Sequence, residues 1–129
     1  MSVQSILRIN VINDSTVQEL IGSRFYEGEL ASVKDPIPSC ANFTIGGGSF
    51  DPNIPFIDDT AKIWAWSIKN YYEAQKVFEA IRNVLHTKRF TDSNIRVVFR
   101  LDFSPIDYYD PVSKWYARVG NFSAKIIEI

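Results

Sequence analysis

The sequence predicts an α+β fold, a mostly antiparallel sheet of four to five strands with an N-terminal helix and one long amphipathic helix packed on it. Helical periodicity and strand alternation, both visible in the chain, lead there. Apolar residues recur at spacings of three and four between Val3 and Ile21 and again over residues 71–85, whereas residues 39–45 and 95–103 alternate from one side chain to the next. A length of 129 residues, 46% of them hydrophobic, fits a single domain over 1–129 with enough apolar side chains for a packed core.

In chain order, Val3, Ile6, Leu7, Ile9, Val11, Ile12, Val17, Leu20 and Ile21, mostly at spacings of three or four, form the first helical stripe. Asn13, Asp14 and Ser15 interrupt it, and Asp14 or Ser15 is placed to cap a second short helix by accepting a free first-turn amide. Gly22 ends that helix, because a residue without a β-carbon tolerates the left-handed conformation. Residues 24–29 read as a short strand or extended turn, and Pro36 and Pro38 make 30–38 a connection by holding the residues before them extended. The strand at 39–45 is expected to stop at Gly46-Gly47-Gly48, a hinge into a long connection that carries Phe50, Ile54 and Phe56. Residues 59–68 bear bulk on both faces, with Ala61, Ile63 and Ala65 against Trp64, Trp66 and Ile68, as a central strand does. Asn70 stands three before Glu73, the spacing of a capping box, at the start of a helix whose buried stripe is Tyr71, Ala74, Val77, Phe78, Ile81, Val84 and Leu85. A polar break over 87–94 precedes the one-sided strand of Ile95, Val97, Phe99, Leu101 and Phe103. Residues 104–114 read as an acidic, tyrosine-bearing loop, and the extended tail after it pairs back across that loop, with Gly120-Asn121 as a bulge or bend that swaps the buried face.

Composition excludes several kinds of chemistry. Fourteen Lys and Arg against fifteen Asp and Glu leave a net charge of −1, without the global basic field that gathers nucleic acid. The charge is nevertheless uneven. Residues 1–60 carry three basic and eight acidic side chains, and residues 61–129 carry eleven basic and seven acidic, so the halves either pair within one domain or give a surface that meets a copy of itself head to tail. One cysteine, Cys40, and one histidine, His86, make neither a disulfide nor a common zinc site. Cys40 on a strand reads as a small buried hydrophobe, and His86 as the C-terminal cap of the helix over 71–85. The glycine run lacks the Gly-Lys-Ser/Thr of a phosphate loop, and Asp58-Asp59, Asp102, Asp107 and Asp110 lack the spacing of a calcium loop. Trp64 and Trp66 read as packing residues, or as the wall of a ligand groove in a small binding module. With no signal segment and no long apolar run, a soluble, cytosolic, non-membrane protein is expected. No cofactor and no catalytic residue is assigned. The surplus of apolar and aromatic bulk, with Phe50, Ile54 and Phe56 on the long loop, points to a partner surface instead.

The order of these parts carries a likeness to a known family. A helix leading into Arg24-Phe25-Tyr26-Glu27-Gly28, a proline-containing link to a strand and a loop, then Thr60-Ala61-Lys62-Ile63-Trp64-Ala65-Trp66-Ser67 running into Tyr71-Tyr72-Glu73-Ala74 and a helix closing at Leu85, resembles the tail-completion proteins of long-tailed bacteriophages, also called tail terminators. The resemblance spans roughly residues 3 to 86. It implies a non-enzymatic virion protein, assembled in the host cytoplasm, that forms a ring, typically a hexamer, at the head-proximal end of the tail. Its implied partners are copies of itself, the tail-tube protein and a neck or head-closure protein, with genomic DNA passing through the lumen without specific binding. On that resemblance the loop over 46–57, with Gly47, Phe50, Asp51, Ile54 and Phe56, is expected to meet the tube or neighbouring subunits, and the loop over 104–114, with Asp107, Tyr108 and Tyr109, to be a second contact. Another neck or connector component is the neighbouring alternative.

Overall fold

The computed structural model describes residues 2–30, 39–49, 57–92 and 95–128. Each helix begins at a side chain that accepts from a first-turn amide. Ser2 accepts from the Ser5 amide at 3.1 Å and starts α1 (Val3–Ile12); Asp14 accepts from Val17 at 3.1 Å and starts α2 (Ser15–Ile21); Asn70 accepts from Glu73 at 2.8 Å and starts α3 (Tyr71–Leu85). Gly22 closes α2 with a φ of 60°, in the left-handed region. The expected capping box of α3 is only half formed. The Glu73 carboxylate accepts from the Ser39 hydroxyl and approaches Lys69 instead, which ties the start of a strand to the start of the helix.

Among the described residues seven strands follow the order β1 (Phe25–Glu27), β2 (Cys40–Ser49), β3 (Ile57–Ser67), β4 (Arg89–Thr91), β5 (Ile95–Leu101), β6 (Ile106–Asp110) and β7 (Trp115–Glu128) along the chain. In space the sheet runs β1-β2-β3-β7-β5-β4, with β6 also on β7. β1 is parallel to β2 and every other pair is antiparallel. The expected sheet of four to five mostly antiparallel strands, with an N-terminal helix and one long amphipathic helix, is therefore corrected to three short helices and seven strands among the described residues, in a curled mixed sheet, a half-barrel. The missing strands come from stretches read as polar connections. β4 and β6 are short segments paired on one side only among the described residues, so they need no apolar alternation to hold their place.

Two further expectations are corrected. The glycine run does not stop β2, which continues to Ser49 with a register shift between Gly46 and Ser49. Backbone pairing with β3 does not depend on side chains, and the shift absorbs the irregularity. Nor is Gly120 a bulge: β7 pairs with β3 without interruption from Tyr116 to Ile126. The buried parity changes because the sheet is covered on opposite faces at its two ends. Towards the helices, Phe25, Phe43, Ile63, Phe99 and Phe122 pack with Leu7, Val11, Ile21, Phe78 and Ile81, all fully buried. Each such side chain contributes about 1.5–3 kcal/mol by leaving water. On the other face, at the opposite end of β7, Cys40, Trp66, Ala117 and Val119 form a second cluster with Tyr26, Leu30, Trp64 and Trp115. Gly120 sits where α3 crosses, and a β-carbon there would run into the Phe78 ring, 2.9 Å from its Cε2.

Candidate functional site

Leu101 ends β5, the Asp102 amide donates to the Asn121 carbonyl at 3.0 Å, and Pro105 has no N–H with which to extend the ladder. The chain then resumes pairing with β7 further along as β6. β5 and β6 thus lie end to end on one side of β7, opposite Glu128–Phe122 and Val119–Trp115 respectively. Asp110 shapes the turn that follows. Its carboxylate accepts from the Val112 amide at 3.1 Å and the Ser113 hydroxyl at 2.9 Å, and its carbonyl accepts from the Lys114 amide at 2.7 Å. Lys114 takes a φ of 63° to close the hairpin.

This hairpin is an arm with apolar side chains on the outside. Val112 at its tip is 91% exposed, Ile106 65%, Tyr108 46% and Tyr109 38%. Its base is held firmly. Asp107 receives Arg118 Nε at 3.0 Å and Gln75 Nε2 at 2.9 Å, which links β6 to β7 and to α3. Tyr109 and Tyr71 both pack on Tyr116, with ring centroids 5.0 and 4.8 Å away. On the other face Tyr108 meets Trp66 edge-on at 6.4 Å, and Trp115 meets it at 6.1 Å. Ile68 and Tyr72, beside the start of α3, are also exposed.

Between the arm and β2 lies a cleft of about 430 Å³ walled by Trp64, Trp66 and Trp115 and bordered by Leu30, Glu29 and Asn42. Asn42 orients its floor. The side chain is buried, donates to the Gly28 carbonyl at 2.9 Å and accepts from the Trp66 indole at 2.8 Å, so both halves of the amide are used.

The residues singled out from sequence separate accordingly. Tyr108 and Tyr109 lie on the exposed arm, and Asp107 faces inward onto Arg118 and Gln75. Gly47 falls within β2; Phe50, Asp51, Ile54 and Phe56 lie outside the described residues. Trp64 and Trp66 come together at the cleft with Trp115, which sequence reading left unremarked. Ile106 and Val112 were missed as surface residues, although Asp110-Pro111 after an Ile-Asp-Tyr-Tyr run carries the signal of a strand and turn. His86 does more than close α3, since its Nδ1 accepts from the Leu101 amide at 3.0 Å. Burial pushes the Cys40 thiol up to about 12, against a smaller lowering by Arg24, so it stays protonated at neutral pH. No group of three or more His, Cys, Asp or Glu suited to a metal ion occurs among the described residues, and no helix among them is long and apolar enough to cross a membrane.

No protein-family model matches the chain, and no curated protein matches it. Among solved structures it matches a chain of the "Virion of native gene transfer agent (GTA) particle", with a TM-score of 0.77 and 13% sequence identity over 99% of this chain and 96% of that one. The two chains share a fold over nearly their whole lengths.

Proposed function

We propose that this chain is a structural protein of a virion, without catalytic activity of its own, that assembles with further copies into a ring and completes the tail of a long-tailed bacteriophage at its head-proximal end. The observation that carries the reading is the arm. A firmly anchored hairpin that leaves Ile106, Tyr108, Tyr109 and Val112 in water has its apolar area available to a neighbouring subunit. β6 adds to this an outer edge unpaired among the described residues, to which a second strand can add by backbone hydrogen bonds. Full-length likeness of fold to a GTA virion chain supports a virion component, and the order of elements from Arg24 to Leu85 supports the tail-terminator role in particular. The tail-tube protein and a neck or head-closure protein would then meet the two faces of the ring.

Native mass spectrometry and negative-stain imaging of the concentrated protein test the assembly. Closed rings are expected, and they are expected to disappear in Ile106→Asp and Val112→Asp variants whose helical circular dichroism is unchanged. A wild-type protein that stays monomeric at high concentration, with and without tail-tube protein, would overturn the reading. Arrest of tail-tube growth by added protein separates a terminator from another neck component.

A further inference from the structure

Beyond the tryptophan cluster, the sheet face turned away from the helices is polar and unexpectedly basic. Phe90, Val97, Phe99, Ala61, Ile63 and Ala124 pack towards the helices, so alternation puts their neighbours Arg89, Arg96, Arg100, Lys62 and Lys125 on the opposite side. Strand register gathers them into rows. Arg89, Val98, Lys125 and Asp58 lie side by side across four strands; Arg100, Ser123 and Thr60 form the next row; Lys62 stands between Asn121 and Thr44 in the third; Arg96 lies opposite Ile127 at the margin. Five cations share these rows with the carboxylate of Asp58, and Asp102, whose amide bonds the Asn121 carbonyl, stands at the β5 end of the third row. Lys62, Arg89, Arg100 and Lys125 are exposed, and the buried Nε of Arg96 meets no hydrogen-bond acceptor among the described residues. With rows about 6.8 Å apart and strands about 4.8 Å apart, the field measures roughly 20 by 14 Å.

The side chains between the cations decide what such a field can hold. A protein partner is anchored by aromatic or aliphatic residues near the centre of its footprint, and here the centre holds Ser123 and Thr60, with Val98 half-buried and Ile127 at the rim. Phosphate oxygens are bound by Arg and Lys together with Ser, Thr and Asn, which is the composition of these rows. We propose that this face holds the sugar–phosphate backbone of double-stranded DNA by an electrostatic contact that does not read sequence. The near-zero net charge conceals the field because carboxylates lie elsewhere, Glu19 on α2, Glu27 on β1, and Glu73 and Glu79 on α3. The contact goes beyond the assembly reading and needs no ring to form.

Fluorescence anisotropy with a labelled duplex of arbitrary sequence, followed through a salt titration on the full chain, tests it. The wild type is expected to bind at low salt, with log K falling against log salt at a slope of about −3, as for three to four phosphate contacts. Replacing three exposed cations together, Lys62→Glu, Arg89→Glu and Arg100→Glu, should weaken binding at least about tenfold and flatten that slope. A control of equal charge change away from the face, Lys69→Glu, Lys76→Glu and Lys114→Glu, should keep the slope. Glutamine replacements at the same three positions repeat the test should the glutamates disturb folding. No binding by the wild type, or equal losses in both triple variants, would overturn the proposal. So would loss of self-association with DNA binding intact, which would assign the face to an acidic surface of a second copy. Native mass spectrometry on the same samples reports assembly separately, so failure of one reading is distinguishable from failure of the other.

Discussion

Asn42 is a buried amide whose two ends hold different elements, the Gly28 carbonyl after β1 and the Trp66 indole of β3. Asn42→Leu leaves both partners buried without a bond. A loss of about 1–3 kcal/mol is expected in urea unfolding, with a shift of the tryptophan emission that reports the displaced Trp66 ring. Gly120 acts by size instead. Gly120→Ala drives a β-carbon into Phe78 beneath α3 and should cost about 1–3 kcal/mol, and the double variant with Phe78→Leu should recover part of that loss. Cys40 gives a pH signature. Its thiol ionises near 9 when unfolded and near 12 when folded, so its contribution is whole below pH 9. As pH rises from 9 towards 12 the unfolded chain sheds a proton that the native state keeps, and stability falls by up to about 1.4 kcal/mol per pH unit. Subtracting the pH profile of Cys40→Ala isolates this fall from the titration of lysines and tyrosines.

Besides its pairing with β7, the arm is tied to the body through Asp107, which bonds Arg118 and Gln75. Because its ion pair with Arg118 is partly exposed, Asp107→Ala should cost only up to about 1 kcal/mol of global stability. The expected effect is local, namely faster amide hydrogen exchange over Ile106–Asp110 with α3 protected as before. The legibility of each element followed from how it is buried. The stripe from Tyr71 to Leu85 marked α3, since a helix covered on one side writes its period into the chain, and the two-sided bulk of Ala61 to Trp66 marked a strand whose Trp66 end is covered on both faces. β4 and β6 were unreadable for the converse reason. Held by backbone bonds at an edge, they leave their side chains free to be polar or exposed, and the alternation that betrays a strand is missing. Tyr108 and Tyr109 stand out in the sequence as surface aromatics of a loop, whereas the strand that carries them, and Ile106 and Val112 with it, is defined only by its pairing along β7.

For the whole molecule, net charge proved a poor guide to local field. A value of −1 argues against a generally basic surface, yet alternation sorts Arg96, Arg100 and Lys125 to one side while the intervening residues form the core. Assembly should also be visible in stability. If apolar arms are buried between copies, the thermal midpoint of the wild type rises with protein concentration, whereas that of Val112→Asp stays constant; calorimetry over a hundredfold concentration range checks this. β7 joins all of these features, because it pairs with β3 on one side and with both β5 and β6 on the other. Tension applied at the hairpin tip therefore runs along the length of one continuous strand. Its bonds to β3 must yield together as the strand slides, instead of opening one after another like a zip, so a pull on the arm is resisted by the body of the fold.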